Sequence, residues 1–459
     1  MNMLDVVNPF DLKQIGEVPL TDWAQADQML EAAHKVFKDR QGWMPAHKRI
    51  DILKKTASLM QGRYDELAFQ IANEGGKPLI DARVEVTRAI DGVELAIKEL
   101  LHLTGEQIPM DLTAAGAGRM AFSYPEPIGP VIALSAFNHP LNLIVHQVVP
   151  AVAVGCPVIV KPAGDTPLSA QAFIGMLHEA GLPEEWAQFI ACENEVAEKL
   201  VTDSRVAFLS FIGSAKVGWM LHSKLAHGAR SALEHGGVAP VIVDQSADFD
   251  AMIPSLIKGG FYHAGQVCVS VQRVFAHKSQ AEELAHAMAE QAKKLKVGNA
   301  IEEDTEVGPL IRPREVTRVH DWIEQASQSG DILCGGEQLS ETTYAPTVIL
   351  NPSHESKIAT QEIFGPAIAV FSYDDIDEAI ARANSLDYAF QASCFTKDLD
   401  TAMKCVQEID ATAVMVNDHT AFRVDWMPFA GRKHSGYGVG GIGHTMRDMT
   451  QSKMAVIKL

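Results

Sequence analysis

Residues 129–164 read GPVIALSAFNHPLNLIVHQVVPAVAVGCPVIVKPAG. Two short apolar runs, 129–137 and 157–163, are typical of strands that are buried on both faces. Between them, the apolar residues from Leu143 to Val154 predict a buried helix. Because a strand, a crossover helix and a second strand form the repeating unit of parallel sheets, this stretch predicts an α/β protein.

The same stretch contains the longest apolar run of the chain, Leu143–Val160, which must be distinguished from a membrane span. A membrane span avoids polar residues and helix breakers, whereas a buried helix followed by a buried strand tolerates them. Five such residues interrupt the run: His146, Gln147, Pro150, Gly155 and Pro157. We therefore expect no membrane segment here.

Helical and strand patterns alternate on both sides of this stretch. Upstream, 22–40, 46–77 and 84–103 carry apolar residues at helical spacing. Downstream, strand-like runs alternate with helical patterns, which predicts two α/β domains. The strand-like runs are 207–214, 269–278 and 366–373, and the helical ones are 215–227, 280–297, 315–330 and 376–385.

Two segments predict a smaller β element. Residues 118–129, GRMAFSYPEPIG, alternate in polarity and are closed by proline, as in a strand pair or an arm. The last residues, 452–459, also resemble a strand. Pairing of that strand within the chain and pairing with a second copy, which would create an oligomer, are both compatible with the sequence.

The composition excludes several classes of partner. The 459 residues carry a formal net charge of −19, whereas nucleic-acid and membrane-surface binding depend on a basic face. The N-terminus lacks the basic and apolar regions of a signal peptide. Six cysteines form neither a disulfide framework nor a paired zinc motif, so we expect a cytoplasmic protein without a metal site.

Seven short motifs follow one another along the chain. In this order they resemble the aldehyde dehydrogenase superfamily of the NAD(P)-dependent, non-phosphorylating type, over essentially the whole sequence. The motifs are AFNHP (136–140), KPAG (161–164), FIGS (211–214), EHGG (234–237), GQVC (265–268), EIFGP (362–366) and PFAGRKHSGYG (428–438).

The resemblance implies an aldehyde dehydrogenase fold with three parts. A Rossmann-like parallel-sheet domain for the cofactor would comprise 1–108 and 128–236. An α/β catalytic domain would comprise 237–442. A small β oligomerisation arm would comprise 109–127 and 443–459, and we expect a homodimer or a homotetramer.

The resemblance also implies three catalytic residues. Cys268 would be the nucleophile, because a thiolate adds readily to an aldehyde carbonyl. Asn138 would hold the developing oxyanion together with the backbone N–H of Cys268. Glu234 would activate the water that hydrolyses the thioester. Taken singly, the three would equally fit a packed thiol, a turn residue and a surface carboxylate.

The cofactor would be NAD or NADP. A glycine and a serine at a strand-to-helix turn suit a phosphate, although a plain helix cap has the same pattern. The family often has a glutamate at the position of Gly164, where it repels a 2′-phosphate, so its absence makes NADP acceptable without excluding NAD. The implied cofactor contacts are Lys161, Gly213, Ser214, Gly218, Glu362 and Phe364.

Residues 416–431, VNDHTAFRVDWMPFAG, correspond to the substrate mouth of the family. Arg423 is the predicted clamp for an anionic tail, because a guanidinium matches a carboxylate, phosphonate or sulfonate. A structural Arg423–Asp425 ion pair is the alternative. The unusual His139 beside the oxyanion residue is a second predicted substrate contact, and His235 in EHGG is also unusual for the family.

These residues predict the oxidation of a small anionic aldehyde to its carboxylate through a thiohemiacetal and a thioester. Phosphonoacetaldehyde, sulfoacetaldehyde, lactaldehyde-type compounds and semialdehydes are the candidate substrates. The alternatives are a CoA-acylating semialdehyde dehydrogenase, a general aldehyde dehydrogenase and a non-enzymatic relative. Retention of Cys268, Glu234 and Asn138 together counts against the last of these.

Overall fold

The stretch 129–164 folds as predicted in the computed structural model, which describes residues 2–459. Two parallel strands lie side by side, Val131 opposite Val158, and the helix between them is buried along its whole length. A fully buried helix between two largely apolar strands is stable only where other layers cover both faces of the sheet.

The elements are numbered in chain order. The strands are β1 (Met3–Val7), β2 (Gln14–Pro19), β3 (Gln107–Ile108), β4 (Arg119–Pro127), β5 (Val131–Leu134), β6 (Val158–Lys161), β7 (Ala187–Phe189), β8 (Phe208–Ile212), β9 (Arg230–Glu234), β10 (Pro240–Val243), β11 (Arg273–His277), β12 (Asp331–Cys334), β13 (Thr347–Leu350), β14 (Ala367–Tyr373), β15 (Tyr388–Ala389), β16 (Gln391–Phe395), β17 (Ala413–Val416), β18 (Arg432–Lys433), β19 (Gly436–Tyr437) and β20 (Thr450–Lys458). The α-helices are α1 (Trp23–Lys38), α2 (Ala46–Gly62), α3 (Tyr64–Gly75), α4 (Leu79–Glu99), α5 (Asn142–Val154), α6 (Leu168–Glu179), α7 (Asn194–Val201), α8 (Ala215–His222), α9 (Phe249–Phe261), α10 (Ala281–Ala292), α11 (Pro313–Ser327), α12 (Lys357–Thr360), α13 (Ile376–Ala383), α14 (Leu399–Glu408) and α15 (Ile442–Asp448).

The first large sheet has six strands in the order β19-β9-β8-β5-β6-β7. All neighbours from β9 to β7 are parallel, and only the short β19 is antiparallel. Parallel strands end at the same edge of a sheet, so residues at the ends of β5, β6, β8 and β9 meet there.

The second large sheet has seven strands in the order β12-β13-β14-β11-β10-β16-β17. Only β12 is antiparallel to its neighbour, so both large sheets confirm the predicted α/β class. On the neighbouring strands β11 and β14, the rings of Phe275 and Phe371 stack with their centroids 5.4 Å apart. No helix within residues 2–459 is long and apolar enough to cross a membrane.

A third sheet, in the order β20-β4-β3, forms the predicted arm. The terminal strand pairs within the chain, with Thr450 opposite Pro127 and Lys458 opposite Arg119. Pairing within the chain, one of the two arrangements that the sequence allowed for β20, is therefore formed. Within the described residues, the other edge of β20 has no neighbouring strand.

Two elements contact a different domain from the one to which the sequence assigned them. The short β3, placed by the sequence at the end of the cofactor domain, pairs with β4 of the arm. The helix α15, placed in the arm, packs its Ile442 and Met446 into the core around α4 and α5. The limits drawn from the sequence therefore stay a prediction.

The predicted helical stretch 46–77 is divided into two helices in the structure. The first ends at Gly62, a residue with low helix propensity, and Arg63 leaves helical geometry. The second ends at Gly75, and Gly76 adopts the left-handed conformation with φ of 67°, which glycine adopts without strain.

A buried ion pair fixes the start of α5. Glu85 on α4 accepts hydrogen bonds from the backbone N–H groups of Leu141 (2.9 Å) and Asn142 (3.0 Å), and its other oxygen contacts the ammonium group of Lys77. Both side chains are almost fully buried. Burial alone would raise the pKa of Glu85, but Lys77 and His139 hold it well below its usual range. The loop that precedes α5 is therefore tied to α4.

Replacing Lys77 with methionine should destabilise the protein by about 3–5 kcal/mol, because Glu85 would be left as a buried unpaired charge. The double variant Lys77→Met/Glu85→Gln should recover part of that loss, since glutamine keeps an oxygen for the two N–H groups. Thermal unfolding midpoints of the three proteins measure both effects. Equal midpoints for the single and double variants would contradict the ion pair's role.

Candidate active site

One cavity of about 760 Å³ lies between the two large sheets. It faces the carboxyl ends of β5, β6, β8 and β9 in the first sheet and the segments that precede β11 and β14 in the second. Ten of the eleven predicted site residues line it: Cys268, Glu234, Asn138, Lys161, Gly213, Ser214, Glu362, Phe364, Arg423 and His139.

The eleventh residue, Gly218, has a different position. It lies inside α8 and faces His235, and a Cβ atom at this glycine would be 2.3 Å from His235 Nε2. Gly218 therefore makes room for the imidazole ring of His235. The cofactor contact of Gly218 therefore stays a prediction.

A strained turn presents Cys268. His263, Ala264 and Gly265 are all left-handed, with φ of 49°, 54° and 69°, which costs roughly 1–2 kcal/mol for each residue other than glycine. At Gly265 a Cβ atom would lie 2.1 Å from the carbonyl oxygen of Gly365, so glycine is required there. The turn delivers the half-buried Cys268 into the cavity just before β11.

The side chain of Gln266 holds this turn in place. Its amide nitrogen donates to the carbonyl oxygens of His263 and Pro309, both at 3.2 Å. Its amide oxygen accepts from the backbone N–H of Ile311 at 3.0 Å. All polar atoms of this buried side chain are thus used, and the backbone that carries Cys268 is fixed.

The surroundings of Cys268 favour the protonated form of its thiol. Burial raises its pKa to about 12, and the nearby carboxylates of Glu362 and Glu234 act in the same direction, whereas Arg423 opposes them. Since the thiolate is the nucleophile, the thiol must lose its proton during the reaction.

Glu234, the last residue of β9, is the carboxylate predicted to act as the general base. Burial raises its pKa, and the positive charge of Arg423 opposes this shift. Its carboxylate lies against Gly440, where a Cβ atom would be 2.1 Å from Glu234 Oε1. A carboxyl group with a raised pKa is suited to general-base catalysis near neutral pH.

Asn138 is positioned by the same turn that carries the thiol. Its Nδ2 donates to the carbonyl oxygen of Gln266 at 2.9 Å, and the side chain is buried. An amide nitrogen has two hydrogens, so one remains for a ligand oxygen. The next residue, His139, accepts from Lys77 at Nδ1 (2.7 Å), and burial together with Lys77 lowers its pKa to about 4.

The far end of the cavity contains polar side chains that make few or no hydrogen bonds within the protein. Lys161 donates only to the carbonyl oxygen of Pro162 at 3.4 Å. Ser214 begins α8 without capping it through its side chain. The Oε1 atom of Glu362 is buried and has no hydrogen-bond partner within the described residues, and burial raises the pKa of this carboxyl group to about 8.

Arg423 lies at the other end, above the ring of Phe429 at 3.6 Å from its centroid. Its Nη2 approaches Nδ1 of His146 at 3.4 Å. Among residues 2–459, no carboxylate lies within 4.0 Å of this guanidinium. The alternative Arg423–Asp425 ion pair is therefore not formed; Asp425 binds Arg88 instead.

Sequence reasoning missed Arg88, Asn142, His146 and Tyr262 as parts of this region. Arg88 lies on a helix that showed only amphipathic spacing, and it is 337 residues away from Asp425. His146 was noticed only as an interruption of the apolar run. A polar or charged residue within an otherwise apolar helix could have indicated these contacts, because such groups are rarely buried without a partner.

Comparison with known proteins agrees with this geometry. The sequence pattern described as the aldehyde dehydrogenase family matches residues 1–455. The 3-sulfolactaldehyde dehydrogenase of Priestia aryabhattai is 34% identical over 457 residues, which cover 99% of this chain and 95% of that protein.

Two solved structures share the fold. Aldehyde dehydrogenase 21 from Physcomitrella patens, in complex with the reaction product succinate, has a TM-score of 0.95 and 36% identity, covering 100% of this chain and 95% of that one. The glyceraldehyde-3-phosphate dehydrogenase GapN from Methanocaldococcus jannaschii, complexed with NADP, has a TM-score of 0.94 and 33% identity, covering 99% of both chains. The chain belongs to the aldehyde dehydrogenase family.

Proposed function

We propose that this aldehyde dehydrogenase oxidises a small anionic aldehyde to the carboxylate, with NAD or NADP as the hydride acceptor. One observation carries the choice of substrate: Arg423 has no carboxylate partner and lines the same cavity as Cys268 and Glu234. A guanidinium without a carboxylate partner in a partly desolvated site favours an anionic ligand. The named relatives that act on sulfolactaldehyde or hold succinate support this proposal.

The residues at the far end of the cavity fit a nicotinamide dinucleotide. The buried, unpaired Oε1 of Glu362 suits a ribose hydroxyl, and the uncapped start of α8 at Ser214 suits a pyrophosphate. Lys161 is a cation without a carboxylate partner beside Gly164, so a 2′-phosphate meets no negative charge from that position. The relative complexed with NADP supports use of either cofactor.

In the first half of the proposed reaction, the thiol of Cys268 releases its proton to solvent and its sulfur bonds to the aldehyde carbon. The side-chain amide of Asn138 and the backbone N–H of Cys268 hold the oxyanion of the thiohemiacetal. Lys161, Ser214 and Glu362 would hold the nicotinamide cofactor, which would supply the hydride acceptor for oxidation of the thiohemiacetal to a thioester on Cys268.

In the second half, the carboxylate of Glu234 takes a proton from a water molecule. The resulting hydroxide adds to the thioester carbon, the carbon–sulfur bond breaks, and the carboxylate leaves. A CoA-acylating enzyme would use a thiol in place of water and needs no such base. The presence of Glu234 in the cavity therefore favours hydrolysis, and turnover without CoA tests it.

We also propose a homodimer or a homotetramer. The nine-residue β20 exposes one edge and the apolar side chains of Met454, Val456 and Ile457. The edge strand β17 of the seven-stranded sheet is similarly uncovered within the described residues. Long apolar edges are usually paired or covered. Light scattering should give the mass of two or four chains, and a monomer at micromolar concentration would contradict this.

Cys268→Ser should abolish oxidation while cofactor affinity remains nearly unchanged, because a serine hydroxyl is a weak nucleophile here. Formation of reduced nicotinamide and quenching of protein fluorescence by the cofactor measure the two properties. The matched control, Cys334→Ser on β12, should retain full activity. Turnover by Cys268→Ser at the wild-type rate would refute the thiohemiacetal mechanism.

Glu234→Gln should make hydrolysis of the thioester limiting, because an amide cannot take the proton of water. Stopped-flow traces should show a burst of about one reduced nicotinamide per site, followed by a slow steady rate. In the wild type the steady rate should rise with pH through a pKa above the usual range of glutamate, in line with the shift caused by burial.

The exposed Glu283→Gln variant on α10 serves as the control and should keep both phases. Loss of the burst as well as the steady rate in Glu234→Gln would show that Glu234 is essential before the thioester forms. It would then be assigned to activation of Cys268 rather than to hydrolysis.

Arg423→Ala should weaken the use of anionic aldehydes and spare propanal. A charged hydrogen bond is worth about 1.5–3 kcal/mol, so kcat/KM for succinic semialdehyde and sulfoacetaldehyde should fall by about 10- to 100-fold. Arg432→Ala, which removes an exposed arginine, is the matched control. Equal losses for propanal and the anions, with a shifted pH profile, would mean that Arg423 serves mainly to tune Glu234.

A further inference from the structure

A second guanidinium at the substrate end of the cavity is neutralised by a buried carboxylate. Asp425 is only 4% exposed. Its Oδ2 accepts from Nε of Arg88 at 3.0 Å, and its Oδ1 accepts from Nη2 at 2.8 Å. This bidentate pair leaves Arg88 in the cavity wall without a net charge to offer a ligand.

His146 adds no charge either. Its Nε2 lies 2.8 Å from Oδ1 of Asp425, and since a carboxylate only accepts hydrogen bonds, Nε2 carries the hydrogen. Nδ1 is then the acceptor for Arg423 Nη2 at 3.4 Å. Burial and the charge of Arg423 lower the pKa of His146 to about 4, so the ring is neutral and orients the guanidinium.

The remaining charged groups around this end are compensated or negative. Lys77 is paired with Glu85, and Lys258, which lies over the ring of Tyr262, is paired with Asp81 at 2.6 Å. Burial lowers the pKa of His139 and raises those of Tyr262 and Cys268, which keeps all three uncharged. The negative groups are Glu234, which faces Arg423, and the exposed Asp91 near Asp425.

Arg423 is thus the cation at this end that forms no ion pair, since even Glu234 lies more than 4.0 Å from its guanidinium. We propose that the substrate end is matched to a single negative charge, so that aldehydes with a carboxylate or sulfonate tail are preferred over those with a doubly ionised phosphonate or phosphate. Asp425 sets this preference by neutralising Arg88. The inference rests on the proposed function and narrows its substrate class.

The physical reason is the cost of an uncompensated charge. One guanidinium balances one negative charge of the tail. A second negative charge would lie in a partly desolvated site beside Glu234, where a like charge is repelled and no donor with a free positive charge is available. Without Asp425, the two guanidinium groups would together match a dianion.

The wild-type enzyme tests the inference through the titration of the substrate. The second proton of a phosphoryl group dissociates at about pH 6, whereas a sulfonate stays singly charged. The ratio of kcat/KM for phosphonoacetaldehyde to that for sulfoacetaldehyde should therefore fall about tenfold from about pH 5 to about pH 8. Taking the ratio at each pH cancels the enzyme's own titrations, because both substrates meet the same groups.

Asp425→Asn should reverse the preference. With Arg88 no longer neutralised, the ratio at about pH 8 should rise about tenfold over that of the wild type. Asp51→Asn changes the net charge equally at an exposed position on α2 and should leave the ratio at the wild-type value. If Asp425→Asn does not fold, the wild-type pH series alone decides.

The outcomes separate this inference from the function on which it rests. A ratio that is independent of pH in the wild type, while both anions are used better than propanal, overturns only the single-charge preference. A kcat/KM for propanal equal to that for both anions overturns the anionic substrate itself. A falling wild-type ratio that Asp425→Asn abolishes supports the role of Asp425.

Discussion

The carboxylate of Asp425 holds the two walls of the cleft together. It belongs to the loop that follows the seven-stranded sheet. Its donors Arg88 and His146 belong to α4 and α5; α5 packs on the six-stranded sheet and α4 packs on α5. Burial of an ion is tolerated only when strong donors surround it. Here they hold the pKa of Asp425 well below its usual range, although burial alone would raise it. The position of Arg423, two residues away, depends on this arrangement.

A second hydrogen bond across the cleft connects the oxyanion residue Asn138 with the turn that carries Cys268. The bond from Asn138 to the carbonyl oxygen of Gln266 ties the loop after β5 to the turn that carries Cys268. Because Glu85 also fixes the start of α5, the loop is held from both sides. The strain of the left-handed turn is therefore opposed by contacts on several elements, which is how strained conformations persist at functional sites.

The sequence was sufficient for the fold because its signals are local. Apolar strands and the buried helix of 129–164 have characteristic lengths and patterns, and ordered motifs marked most of the cavity wall. What it lacked were contacts between distant residues. Arg88 could not be assigned to Asp425 over 337 positions, and the proximity of Arg423 and Asp425 in sequence suggested the wrong partner.

Gly218 and β20 illustrate the same limit. The resemblance implied a cofactor contact for Gly218, but its packing against His235, which follows β9, could not be read from the order of residues. The partner of β20 could not be chosen from a strand pattern alone, because the pattern contains no information on which edge is free.

The resting thiol of Cys268 has a consequence for the durability of the enzyme. Peroxide and alkylating agents react with thiolates far faster than with thiols. A cysteine whose pKa is raised to about 12 is therefore a poor target for them between turnovers. The burial that raises the pKa of the thiol thus also shields the nucleophile from oxidative inactivation.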